Sequence, residues 1–323
     1  MQCNSCMMVI FVFKEMRKYI RVMRLDHWVK QLFVLPGVIF ALFLTEPEHQ
    51  LGGITMALVG LLATSLIASA NYVINEWLDA QFDKYHPTKK NRSVVTEDVH
   101  ASVIWGLWVG LTVAGFLLGS LLNMPFLLCL VWLWVMGIVY NVKPLRSKDI
   151  PIVDVLSESV NNAIRFLLGW FMVCDHLLPP CSVVLGYWMA GAYLMGVKRF
   201  AEYRMIGNAE VAAHYRKSFR FYNEELLLTS SFFYALLSIF FVGVFLVKYR
   251  LELVLFIPFL IGLYAYYLWL AFQEDSCVQK PEKLYHEPKL LAYCLFLFAL
   301  LLFLVFYDFP WLSVFTTNLL IQF

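Results

Sequence analysis

Residues 75 to 83 read Asn75-Glu76-Trp77-Leu78-Asp79-Ala80-Gln81-Phe82-Asp83 and close a long apolar run. At helical pitch Asn71, Asn75, Asp79 and Asp83 recur every four residues, so their side chains form one polar stripe along a helix end. Two carboxylates four residues apart, with an amide oxygen beside them, make a hard-oxygen set suited to Mg²⁺. That ion takes few protein ligands and keeps waters or substrate phosphates. The competing reading is a solvated helix end carrying scattered acids. Ionisable groups at membrane depth are rare and mark functional sites, which favours the metal.

A second constellation follows. Asp154, Glu158, Asn161, Asn162 and Arg165 share one arc of a helix at about 100° per residue. Such groups are too costly to face lipid, so they must face a wet cavity or one another. The competing reading is an internal salt bridge from Arg165 to Glu158 or Asp154 that only joins helices. Basic loops alternate with these acids. His86-Pro87-Thr88-Lys89-Lys90-Asn91-Arg92-Ser93 follows the first motif, and Lys143, Arg146 and Lys148 precede the second. The alternation suits a diphosphate, with Mg²⁺ on the carboxylates and Lys/Arg taking the remaining oxygens through charge-assisted bonds. Lys198, Arg199, Glu202, Arg204, Arg216, Lys217 and Tyr222 cluster in a loop at 198 to 225. Arg199 and Glu202 can pair there at i,i+3 and order a cap over substrate. The alternative for this loop is a basic hairpin on anionic lipid.

The elements that position these residues are membrane helices. Hydrophobic residues make up 61% of the chain and charged residues 15%, against roughly a quarter charged in soluble domains. Nine apolar runs approach the length of about 20 residues that a bilayer requires. They lie at 29 to 45, 52 to 75, 101 to 122, 125 to 141, 152 to 174, 181 to 200, 226 to 247, 252 to 272 and 289 to 307. With sides alternating, 22 of the 25 Lys/Arg fall on one side, which places the N-terminus and long loops in the cytoplasm. Residues 1–28 read as a cytoplasmic segment, with an amphipathic stretch from Phe11 to Arg24 on the membrane surface. Residues 29–323 read as one transmembrane domain. No signal peptide and no nucleic-acid module is legible. The seven cysteines form no framework: Cys3-Asn4-Ser5-Cys6 lacks a second ligand pair, and Cys174 and Cys181 flank a short outside loop where they could bridge.

Together Asn75-x-x-x-Asp79-x-x-x-Asp83, Tyr140 and Lys143, and Asp154-x-x-x-Glu158 resemble the UbiA superfamily of intramembrane prenyltransferases over nearly the whole chain. The resemblance implies an all-α polytopic fold of nine transmembrane helices around a central cavity with a cytoplasmic cap. It also implies two Asp-rich motifs holding Mg²⁺-diphosphate. Finer strings are similar to the decaprenyl-phosphate phosphoribosyltransferase branch. These are His86-Pro87-Thr88-Lys89, Asp154 with Ile164-Arg165 and Gly169, Lys198-Arg199-x-x-Glu202, Arg216-Lys217-Ser218 with Tyr222, and Pro281-Glu282 leading to Pro288. In that branch 5-phosphoribosyl 1-diphosphate is the donor, and a polyprenyl phosphate accepts the sugar for cell-envelope synthesis. Two residues depart from the pattern. Glu76 stands where the family usually has Asp, and Glu158 stands where the branch tends to be small and ordinary prenyltransferases have Asp.

On this reading Asp79 and Asp83, with Asn75, hold Mg²⁺, and Asp154 binds a second Mg²⁺ or a ribose hydroxyl. Lys89, Lys90 and Arg92 take the 5-phosphate or diphosphate, and Arg165 or Lys198 the acceptor phosphate. Tyr140, Lys143, Glu158, Asn162, Arg199, Glu202 and Arg216 complete the substrate contacts. Two other functions compete. One is prenyl transfer from a polyprenyl diphosphate to an aromatic or lipid precursor. The other is transport along the buried acids, which would require polar groups continuing to the outside face. The expected location is the cell (inner) membrane with the active site cytoplasmic; the oligomeric state is not legible.

Overall fold

The structure, a computed structural model, describes residues 16–46, 53–273, 276–279 and 287–315. The Cys3-Asn4-Ser5-Cys6 motif, the start of the amphipathic stretch at 11–15 and the Pro281-Glu282 string lie outside these residues. After a helical stretch at 16–22 and a 3-10 run at Leu25–Val34, the chain forms α1 (Leu35–Leu44), α2 (Gly53–Asp83), α3 (Ala101–Gly119), α4 (Met124–Asn141) and α5 (Val153–Val173). It continues through α6 (Cys181–Ile206), α7 (Ala209–Tyr215), α8 (Glu224–Tyr249), α9 (Ile257–Ala271) and α10 (Pro288–Phe306). No strand occurs among the described residues.

Local signals set the helix limits. Proline occupies the first turn of α1, α4, α9 and α10, where its missing N–H costs nothing. Asn123 caps α4 by accepting from the Phe126 N–H at 2.8 Å, and Asn208 caps α7 by accepting from the Glu210 and Val211 N–H groups. α6 stops where Gly207 takes φ +66°, the left-handed conformation that commonly ends a helix.

Seven helical segments among the described residues are long and apolar enough to cross a membrane: Met16–Leu44, Gly53–Asp83, Ala101–Gly119, Met124–Asn141, Glu224–Tyr249, Leu251–Ala271 and Pro288–Phe306. The expected fifth and sixth spans are present as helices α5 and α6, and neither belongs to this apolar set. Large apolar side chains such as Leu117 on α3, Phe240 on α8 and Leu295 on α10 stand exposed, as lipid-facing residues do where packing rather than hydrophobic expulsion joins helices.

The described chain forms two compact units. The first comprises the described residues of Met1–Leu178 and Ile206–Asn223. Within it α2 packs along α3, α4 and α5, and α1 crosses α5. That crossing is backbone on backbone: a Cβ at Gly37 would lie 1.9 Å from the Phe166 carbonyl oxygen, and one at Gly169 would lie 2.1 Å from that of Val34. Only glycines admit the approach, as small-residue contacts do between membrane helices. Asn71 joins α2 to α4 by donating to the Leu133 carbonyl at 2.8 Å. The N-terminal segment is tied to the loop after α2, with Lys18 donating to the Asp98 carbonyl at 2.6 Å and Arg21 pairing with Glu97 at 3.2 Å.

The second unit comprises the described residues of Pro179–Met205 and Glu224–Phe323. Here Ser238 of α8 donates to the Gly186 carbonyl at 2.9 Å and meets Tyr264 of α9 at 2.8 Å, and the Tyr264 ring lies 4.5 Å from that of Tyr193. Cys174 and Cys181, which could have bridged, are free thiols.

Candidate active site

The unbroken α2 carries the first acidic motif to its last turns. Asn75 Nδ2 donates to Asp79 Oδ2 at 3.2 Å and to Asn141 Oδ1 at 2.5 Å. Asp79 Oδ1 accepts from Lys148 Nζ at 2.6 Å and from Arg146 Nη2 at 2.8 Å. Asn141, the last residue of α4, sets both cations: it accepts from Lys148 at 2.7 Å through its side chain and from Arg146 at 3.0 Å through its carbonyl. One turn further on, Asp83 Oδ2 accepts from Arg92 Nη1 at 2.6 Å.

Asp79, Phe82, Asp83, Arg146, Lys148, Asp149, Tyr215, Arg216 and Lys217 line a small cleft at this point. Asp149 sits between Arg146 at 3.3 Å and Lys217 at 3.4 Å. Lys89 donates to the Tyr215 hydroxyl and lies over its ring at 4.7 Å. Burial pulls the Lys148 ammonium down to about 8 against the opposing pull of Asp79. Burial also opposes the charge on Arg92, but Asp83 and Glu76 overcome it and hold that guanidinium above its usual value. Glu76 is buried between Arg24 at 3.4 Å and Arg92 at 3.5 Å and does not line the cleft.

The second motif meets different chemistry. Asp154 is fully buried, and its oxygens accept from Tyr222 at 2.6 Å and Ser218 at 3.1 Å. Arg216 stands 3.6 Å away. The Tyr222 hydroxyl in turn accepts from the Ile152 N–H at 2.5 Å. Ile152 has φ +68°, a conformation unfavourable for a β-branched residue. Glu158 accepts from the Tyr140 hydroxyl at 2.7 Å, and Tyr140 accepts from Arg216 at 3.2 Å. Arg216 is thus the residue that connects the cleft to the polar seam of α5.

Of the expected site residues, Asn75, Asp79, Asp83, Arg92 and Arg216 converge on or directly beside the cleft, with Lys89, Tyr140 and Glu158 one contact behind. Lys90 and Lys143 are exposed and outside its lining, and the half-buried Asn162 does not line it either. Lys198, Arg199 and Glu202 are on α6 rather than in a loop, because nothing in the sequence stops that helix before Gly207. Arg199 and Glu202 form the expected pair at 3.1 Å, buried within the second unit. Arg165 bonds to Gln31 and the Asn161 carbonyl, not to Glu158 or Asp154, so the alternative of an internal salt bridge fails. The cleft also uses Arg146, Lys148 and Lys217, which the sequence placed in basic loops without an individual role, and Asp149 and Tyr215, which it did not single out. The legible signal for Asp149 is its place in the charged run Arg146-Ser147-Lys148-Asp149 between two apolar spans.

No three His, Cys, Asp or Glu side chains among the described residues are grouped closely enough to enclose a metal by themselves. The donor set nevertheless fits Mg²⁺, which is held by one or two carboxylates and completed by substrate phosphates and waters. Asp79 and Asp83 already attract cationic groups to their oxygens.

Over 112 residues the chain is 29% identical to the 4-hydroxybenzoate octaprenyltransferase of Paraburkholderia phymatum, a match covering 35% of this chain and 38% of that one. Over 197 residues it is 26% identical to the protoheme IX farnesyltransferase of Edwardsiella ictaluri, covering 55% and 64%. The match therefore spans under two thirds of either curated relative's length. The fold resembles that of a UbiA homologue from Archaeoglobus fulgidus bound to GPP and Mg²⁺, with a TM-score of 0.67 at 18% identity over 88% of this chain and 99% of that one. It also resembles a digeranylgeranylglyceryl phosphate synthase, with a TM-score of 0.58 at 12% identity over 90% and 96% of the two chains. The model of the UbiA prenyltransferase family matches residues 34–287, most of the sequence. The chain belongs to the UbiA prenyltransferase family.

Proposed function

We propose that this protein transfers 5-phosphoribose from 5-phosphoribosyl 1-diphosphate to a polyprenyl phosphate and releases diphosphate. The observation that carries this reading is the lining of the cleft. Seven of its nine residues are charged, four of them basic, and Lys89 and Arg92 adjoin it. One diphosphate needs fewer cations, whereas a donor with phosphates at both ends of a compact polar sugar engages the full set.

Asp79 and Asp83, with the Asn75 carbonyl, would hold Mg²⁺. When bound, the ion supplies neutralisation of the diphosphate charge, so that diphosphate leaves more readily. Arg146 and Lys148 exchange their bonds to Asp79 for bonds to diphosphate oxygens. Lys89, Arg92 and Lys217 take the 5-phosphate. Breaking the ribose C1–O bond leaves its electron pair on diphosphate, and an anionic oxygen of the acceptor phosphate forms the new bond to C1. That nucleophile is already ionised, so no general base is required. Asp154 serves as a positioning residue, holding Ser218 and Tyr222 so that Arg216 and Lys217 face the cleft. The reaction would occur at the cytoplasmic face of the cell membrane, with the lipid acceptor drawn from the bilayer.

Prenyl transfer from a polyprenyl diphosphate is the second reading. The curated relatives are named as prenyltransferases, and related solved structures hold GPP or DMAPP with Mg²⁺. The Tyr140–Glu158 pair at the mouth of the α5 seam also favours it. The test is diphosphate release by purified protein with Mg²⁺ in two mixtures. One contains 5-phosphoribosyl 1-diphosphate and polyprenyl phosphate; the other contains a polyprenyl diphosphate and 4-hydroxybenzoate. Release with a new phosphoribosyl lipid only in the first is expected, and turnover only in the second replaces the proposal with the prenyl reading.

A further inference from the structure

Arg165 is a buried charge that the cleft does not use. It lies on α5 eleven residues beyond Asp154, about 17 Å along the axis at 1.5 Å per residue, and is 7% exposed. Its Nε donates to Gln31 Oε1 at 3.2 Å and its Nη1 to the Asn161 carbonyl at 3.3 Å. Neither partner is charged, and no carboxylate among the described residues pairs with it. A guanidinium carries five N–H donors, so these two contacts leave most of its capacity for another acceptor. Beside it, Gln31 Nε2 and Asn161 Oδ1 are buried without hydrogen-bond partners. Water would satisfy the amides, but it would not neutralise the charge. A buried cation lacking its counter-ion is strongly destabilising, and membrane proteins retain such groups where an ion or substrate meets them.

A polar path joins this point to the cleft. Arg216 donates to Tyr140, Tyr140 donates to Glu158, and Asn161 Nδ2 donates to the Glu158 carbonyl at 3.1 Å. Helical side chains lean toward the N-terminus. The bond from Arg165 to a carbonyl four residues earlier has that direction and brings the guanidinium one turn nearer the cleft.

We infer that Arg165, Gln31 and Asn161 form a metal-free site for the monophosphate headgroup of an amphipathic lipid. Its assignment to the acceptor rests on the phosphoribosyl reading and deepens it: the headgroup is held here before it moves along the polar path to the cleft, where transfer occurs. The guanidinium and the Gln31 N–H groups meet the charged phosphate oxygens. The Asn161 side-chain oxygen, Oδ1, suits the P–OH of a singly protonated monoester, a group that a carboxylate lacks. The apolar helices around the seam accommodate the tail.

The test is equilibrium binding of dodecyl phosphate to the full-length protein in a neutral detergent, with EDTA and no donor. Its outcome is therefore independent of which transferase assay succeeds. Wild-type protein is expected to bind dodecyl phosphate and not dodecanol. Arg165→Gln should weaken binding about tenfold or more, as loss of a charge-assisted contact does. Gln31→Glu controls for folding: it places a carboxylate beside Arg165, so its melting temperature should equal or exceed wild type while binding falls similarly. Asp79→Ala should retain binding. Affinities within about twofold of wild type in both Arg165→Gln and Gln31→Glu, beyond the reach of a lost charged contact, would overturn the site. Equal competition by inorganic phosphate or by dodecanol would overturn its assignment to a lipid headgroup.

Discussion

The two acidic motifs of this protein are alike in sequence and differ in what holds their oxygens. Asp79 and Asp83 are bound by Arg146, Lys148 and Arg92, whereas Asp154 and Glu158 accept their hydrogen bonds from the hydroxyls of Tyr222, Ser218 and Tyr140, with Arg216 farther off at 3.6 Å from Asp154. A carboxylate held by cations can exchange them for a metal–diphosphate, because the released cations find new partners in the phosphate oxygens and no charge is stranded. A carboxylate held by buried hydroxyls has no such exchange: removing it strands the donors themselves. The first pair therefore reads as exchangeable chemistry and the second as a fastening for the segment that carries Arg216 and Lys217. An acidic motif is informative about metal binding only once the partners of its oxygens are known.

The strongest way to break this contrast is to remove the first pair. Asp79→Ala or Asp83→Ala should lower diphosphate release by about a thousandfold or more, as losing a charge-stabilising group at the reacting centre does, with membrane insertion retained and the melting temperature lowered, because each change leaves buried cations without their counter-ion. Activity surviving in the double variant would end the metal assignment. Lys148→Met should act next, raising the KM for donor about 10- to 100-fold with a smaller change in kcat, the pattern of lost binding common to ground and transition states. A fall in kcat alone would move Lys148 from binding into the chemical step.

Asp154→Ala should reveal a fastening. Two buried donors lose their acceptor, at a cost of about 1–3 kcal/mol for each stranded group, which a thermal unfolding curve will register. Asp154→Asn, which keeps an acceptor oxygen, should recover part of the loss. An unchanged unfolding curve with an altered Mg²⁺ dependence would instead make Asp154 a metal ligand. The smallest effect is expected at Glu158. Under phosphoribosyl transfer Glu158→Ala should change turnover by no more than about fivefold, roughly 1 kcal/mol, because the lost bond to Tyr140 lies one contact behind the cleft. A large loss would indicate the prenyl reading.

How much of this was legible beforehand follows from the range of the interactions involved. The Asn75, Asp79 and Asp83 stripe was readable because its period belongs to a single helix, and the same holds for the α5 seam and for the Arg199–Glu202 pair. The partners were not readable. Tyr222 reaches Asp154 across 68 positions, and Lys148 reaches Asp79 across 69. Lys143, chosen for its place after the fourth span, is exposed on the same loop that turns Arg146 and Lys148 inward. The cap expected at 198 to 225 begins later than its composition suggests, because α6 continues to Ile206 through Lys198 and Glu202.

By itself the sequence determined a chain of membrane-length apolar helices with an acidic motif at the end of one of them, because hydropathy and helical period are properties of contiguous residues. Only the tertiary structure decided which carboxylates face cations in a cleft, which are sealed beneath tyrosine and serine, and that Arg165 lies buried against Gln31 with no acid beside it. Those outcomes depend on which distant side chains share a low-dielectric interior, where one charged neighbour more or less outweighs any local propensity.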